Sequence, residues 1–164
     1  MAASCKKADF VHRLYALCSE KKETQMCILQ ASVFEKYYFL DFIFDEYRKA
    51  KDFAADCVIF RISENVAPDP ERSDIFLKRY KQLVQYVSRE STKLIFTTGF
   101  WKNGFADPLI RETAQEFKAE LVELGDLGEK SSMRADGLFE HKGVAMHPGD
   151  KGMEIIAERI FSVM

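Results

Sequence analysis

The chain has 164 residues, 47% hydrophobic and 13% aromatic, which is enough apolar material for one substantial core and predicts a single domain over residues 1–164. Its 24 Lys and Arg and 26 Asp and Glu alternate in short runs without a basic face, which argues against a nucleic-acid partner. No apolar run approaches the roughly 18 residues that cross a bilayer, and MAASCKKADF lacks the apolar stretch of a signal peptide, so no membrane span and a cytoplasmic location are expected.

Residues 9–20 carry Phe10, Val11, Leu14, Leu17 and Cys18 at helical spacing, with Asp9 placed to cap the first turn. The short apolar run 25–31 (QMCILQA) reads as a buried strand. Residues 34–53 are unusually aromatic, and the spacing of Phe34, Tyr38 and Phe42 predicts a helix whose rings serve packing. The clearest strand is 55–62 (ADCVIFRI), crowded with β-branched and aromatic residues; it ends at the loop SENVAPDPERS. A helix over 74–89, a strand over 93–98, a helix over 108–117 with Pro108 in its first turn and a strand over 119–124 follow. A long polar loop then leads to a closing helix over 148–163. This alternation predicts an α/β fold of three α/β/α layers with a mainly parallel sheet.

The four cysteines, Cys5, Cys18, Cys27 and Cys57, show no C-x-x-C pair and no histidine at a ligand spacing. They read as free structural thiols, and no metal and no cofactor are expected.

Sites in an open parallel sheet form beyond the carboxyl ends of the strands. After the clearest strand comes Ser63-Glu64-Asn65, where an asparagine amide can serve as an oxyanion donor or close an Asx-turn. His147 is followed by Pro148-Gly149-Asp150 and an amphipathic run, a short tether in front of a helix that suits a general base and equally a surface histidine. Trp101, in the loop TTGFWKNGF, either walls a pocket or packs.

Taken together and in order, these segments resemble the SGNH or GDSL-like serine hydrolases, which are esterases and lipases on a flavodoxin-like α/β fold. VIFRISENV is similar to the family's third block, with Asn65 at the oxyanion asparagine. IFTTGFW is similar to the next strand and loop, and HPGDKGMEIIAERI to the final block, with His147 at the catalytic base. The resemblance covers nearly the whole chain. It implies acyl-enzyme hydrolysis of a small-molecule ester, a lipid ester or an acylated carbohydrate, with Trp101 and the backbone N–H groups of Ala31 and Ser32 on the substrate side.

Three departures stand out. Ser63 replaces the third-block glycine, and Val144 replaces the acid three residues before the histidine, leaving Glu140, Asp136 or a backbone carbonyl to orient the imidazole. No Gly-Asp-Ser or Gly-Asn-Ser block occurs, and the first helix starts too near Met1 for a strand to precede it. The expectation is a hydrolase domain lacking its first strand and its nucleophile, truncated at the N-terminus and inactive alone. The alternative is a non-catalytic α/β binding or remnant domain. A nucleotide-binding reading is weaker, because no Gly-rich phosphate loop follows any strand.

Overall fold

In the computed structural model, which describes residues 2–164, the chain runs through α1 (Phe10–Ser19), α2 (Ala31–Tyr37), α3 (Arg48–Phe53), β1 (Cys57–Phe60), α4 (Ser73–Val87), β2 (Lys93–Thr97), α5 (Ala106–Glu116), β3 (Glu120–Val122), α6 (Lys142–Ala145) and α7 (Asp150–Phe161). Short 3-10 turns lie at Lys6–Ala8, Asp41–Tyr47, Pro70–Arg72 and Ser131–Met133. The fold belongs to the α/β class, as the alternation predicts. One unit takes the chain up to Met26 together with Phe100–Lys102 and Leu124–Met164; the other takes Cys27–Gly99 and Asn103–Glu123.

The second unit holds the sheet, an all-parallel set in the order β1-β2-β3. Cys57 pairs with Lys93 and Phe60 with Phe96 at one ladder, Ile95 with Glu120 and Thr97 with Val122 at the other. Parallel neighbours need a crossover, and α4 and α5 supply the two. The strand period of two sends Val58, Phe60, Leu94, Phe96 and Leu121 into one cluster with Phe76, Tyr80, Leu83 and Val84 of α4 and Ile110 and Ala114 of α5. Phe60 stacks on Phe96 with ring centroids 5.0 Å apart, and Tyr80 meets both rings edge-on.

Two predicted elements differ from those observed. Residues 25–30 form no strand; Ile28 is 53% exposed, Leu29 packs against the core, and the carbonyl of Gln30 accepts from the Tyr47 hydroxyl at 3.0 Å. An apolar run becomes a strand only where a ladder edge receives it, and here a side-chain bond takes up the backbone instead. Nor do residues 34–53 make one helix. Phe34, Tyr38, Ile43 and Tyr47 are all buried, yet Phe34 and Ile43 are nine residues apart, and a continuous helix would set them roughly 180° apart. The chain therefore breaks after Tyr37, passes through the 3-10 turn, and resumes at Arg48. Tyr47 secures the bend, donating to Gln30 and accepting from the Phe34 N–H at 3.1 Å.

In the first unit α1 packs along α7, with Leu14, Met153, Ile156, Ala157 and Ile160 buried. Asp9 caps α1 as expected, accepting from the His12 N–H at 2.8 Å. Gly152 lets the Ser131–Met133 turn sit directly on α7, because a Cβ there would overlap the Met133 carbonyl. Helix α7 begins at Asp150, so Pro148 lies just ahead of it in an antiparallel bridge with Arg134 rather than in the first turn. None of the described helices is long and apolar enough to cross a membrane.

Candidate active site

In the second unit, the segment leaving β1 is held by two buried carboxyl groups, one of which also ties it to the segment leaving β2. Beyond Phe60 the chain continues through Arg61 and Ile62 to Ser63, which is 0% exposed. Its N–H donates to Oε1 of Glu35 at 2.8 Å, and its Oγ donates to Oδ1 of Asp107 at 2.8 Å. Glu35, on α2, is 3% exposed; Asp107, in the first turn of α5, is 4% exposed. Asp107 also accepts from the Gly99 N–H at 3.2 Å and the Asn103 N–H at 2.9 Å, which draws the end of β2 and the start of α5 onto Ser63. Buried acids persist where donors surround them, and each oxygen here is so supplied.

Asn65, two residues further, is exposed, but its side chain is tethered inward: Nδ2 donates to Oε2 of Glu35 at 2.6 Å, and its own N–H reaches Oε1 at 3.3 Å. The capping role falls instead to Asn103, whose Oδ1 accepts from the N–H groups of Phe105 and Ala106 while Nδ2 donates to the carbonyls of Ser63 and Val66. One Asn65 Nδ2 hydrogen is spent on Glu35, and the other has no hydrogen-bond partner among the described residues. Ala31 and Ser32 lie in the first turn of α2, half-buried, rather than after a strand. Two tyrosines belong to the same surroundings. Burial pushes the Tyr47 phenol up to about 12, with Glu35 and Glu46 adding to the rise against the Phe34 hydrogen bond. Tyr80 is wholly buried, and its hydroxyl has no hydrogen-bond partner among the described residues.

The first unit holds His147, exposed, between α6 and α7. Its backbone is fixed on both sides: the N–H donates to the Val144 carbonyl at 3.0 Å, and the carbonyl accepts from the Ala135 N–H at 2.9 Å. The ring folds back over α6, with Nδ1 2.7 Å from the Gly143 carbonyl. A carbonyl only accepts, so this contact puts the proton on Nδ1 and leaves Nε2 of the neutral ring as an acceptor. Of the three groups named for orienting the imidazole, the backbone carbonyl holds that place; Glu140 is exposed and makes no bond to the ring among the described residues. Trp101 stands against the ring at 89°, with centroids 5.0 Å apart. Here the indole packs on the histidine.

Glu35 and Asp107 carry no signal in the sequence, since an acid on an amphipathic helix reads as solvent-facing. Two grooves of the second unit, about 600 Å³ around Lys51, Tyr86 and Arg89 and about 460 Å³ around Lys93, Lys118 and Glu120, lie by the amino ends of β2 and β3, away from Ser63 and Asn65. No group of three or more His, Cys, Asp or Glu among the described residues is set to hold a metal, and the four cysteines are free thiols. Compared with known proteins, the chain matches no family model, no curated protein and no solved structure.

Proposed function

We propose that this chain is the base-bearing and oxyanion-bearing portion of an SGNH-type serine ester hydrolase. In this reading a serine hydroxyl attacks the ester carbonyl; the resemblance assigns the serine proton to Nε2 of His147 and assigns to the Asn65 amide the part of donor to the oxyanion. His147 then returns the proton to the departing alkoxide, and water releases the acyl group by the same route. A small ester or an acylated carbohydrate is the substrate class. The observation that carries the reading is the Nδ1 contact of His147 with the Gly143 carbonyl, which gives an exposed imidazole a single defined tautomer.

The nucleophile is not among the serines near these residues. Ser63 is fully buried with its hydroxyl committed to Asp107, and Ser32 sits in the first turn of α2. This observation favours a second reading, a non-catalytic remnant of the same fold.

Reading the coding DNA in frame ahead of Met1 separates the two: a strand-like run ending in Gly-Asp-Ser or Gly-Asn-Ser supports the enzyme, and a stop codon directly upstream favours the remnant. In a protein carrying that serine, His147→Ala is expected to slow p-nitrophenyl acetate hydrolysis roughly a thousandfold. Unchanged hydrolysis removes His147 from the mechanism.

A further inference from the structure

Every group that reaches Glu35 by a hydrogen bond is a donor. The N–H groups of Ser63 and Asn65 share Oε1, and the side-chain nitrogen of Asn65 takes Oε2 at 2.6 Å, the shortest of the three. Two backbone bonds suffice to hold the loop; the third reaches past it to an exposed side chain. An asparagine amide has a donor end and an acceptor end of nearly equal size, and an exposed one turns freely between them. A carboxylate beneath it removes that freedom, because only the nitrogen end can face an acceptor. The anchor is itself rigid, since Glu35 is buried on α2 one position from Phe34, whose ring packs on Tyr38, Tyr47, Phe76 and Tyr80.

We propose that Glu35 is a positioning residue: it locks the Asn65 amide with its nitrogen on the loop, so that an N–H rather than the amide carbonyl is offered to the acyl oxygen of an ester. The inference rests on the reading of Asn65 as an oxyanion donor. It adds a residue that touches no substrate and acts only through Asn65. Fixing a donor before the reaction spares the transition state the cost of turning it, which is how such groups exceed what water offers.

Two variants test it. Glu35→Gln has the same shape but sets an amide nitrogen against the nitrogen of Asn65, which forces the asparagine to reverse or let go. The double variant Glu35→Gln with Asn65→Asp restores a hydrogen bond of opposite polarity, so stability returns without a donor. In nitrogen-15 spectra of the 164-residue chain, the two Asn65 side-chain protons are expected to be widely separated and slow to exchange. Glu35→Gln is expected to collapse them toward the values of free asparagine, with circular dichroism unchanged. Asn65 side-chain signals that are free-like in the parent chain, or unmoved by Glu35→Gln, overturn the proposal.

In a serine-bearing protein, Glu35→Gln is expected to lower kcat for p-nitrophenyl acetate about tenfold to a hundredfold with KM within about twofold, less than the roughly hundredfold to thousandfold of losing an oxyanion donor outright, because the amide is unlocked and not removed. The double variant is expected to regain the melting temperature but not kcat. Recovery of both would make Glu35 merely structural and overturn the proposal. Asn65→Ala with full activity would sink the oxyanion reading instead, and the spectra would still report whether Glu35 holds the amide.

Discussion

The imidazole of His147 stands perpendicular to the indole of Trp101, 5.0 Å between ring centres, while its Nδ1 is held by the carbonyl of Gly143. One neighbour fixes the tautomer and the other limits the swing of the ring. Orientation here comes from an aromatic wall and a backbone oxygen, with Val144 and no acid three residues before the histidine.

The wall can be removed in two steps. Trp101→Ala is expected to cost about 3 kcal/mol of stability, as large aromatic truncations do. Trp101→Phe is expected to cost about 1 kcal/mol, because it keeps a ring against His147 and the lost indole Nε1 has no hydrogen-bond partner among the described residues. Urea denaturation measures both. Carbethoxylation of His147 by diethyl pyrocarbonate is expected to quicken in the alanine variant; an unchanged rate would show that the indole does not shield the ring.

At the other set of residues, Asp107→Ala strands the Ser63 hydroxyl and the N–H groups of Gly99 and Asn103. Leaving several buried donors unpaired is expected to cost about 3 kcal/mol or more, whereas Ser63→Ala removes one bond and is expected to cost about 1 kcal/mol. A double-mutant cycle on the pair should be strongly non-additive, since the serine bond is already lost in the aspartate variant. Additive losses would mean that Ser63 and Asp107 do not meet.

Tyr47 and Tyr80 offer a matched contrast. Tyr47→Phe breaks bonds to Gln30 and Phe34 and is expected to cost about 1–2 kcal/mol. Tyr80→Phe removes a buried hydroxyl with no partner among the described residues and is expected to be neutral or stabilising. The pH dependence follows from the same burial. Tyr47 holds its proton more tightly folded than unfolded, so its contribution is complete below pH 10 and is lost as pH rises from about 10 through about 12. Urea midpoints of the parent chain and the Tyr47→Phe variant are expected to converge across that window. Parallel midpoints would contradict it.

Much of the architecture was legible along the chain. The three strands fall inside the predicted segments 55–62, 93–98 and 119–124, and α4, α5 and α1 with its Asp9 cap lie close to the predicted limits. These are long or strongly patterned stretches, in which neighbouring residues suffice to mark the buried face. Asn65 and His147 could be singled out because each follows a recognisable local pattern. An unspecified backbone carbonyl was one of three orienting groups that the sequence left open beside Glu140 and Asp136, and only the structure identifies it as that of Gly143.

What the sequence determined by itself is therefore the alternation of strand and helix, with Asn65 in the loop that follows β1 and His147 just ahead of the closing helix. Tertiary structure decided the rest: that residues 25–30 are not a strand, that the aromatic run bends so Phe34 and Ile43 both enter one core, and that Glu35 and Asp107 close on the loop after β1. The physical reason is separation along the chain. Periodicity reports which side of an element leaves water, but a ladder partner or a donor for a buried acid comes from 28 or 44 residues away, and nothing local specifies it.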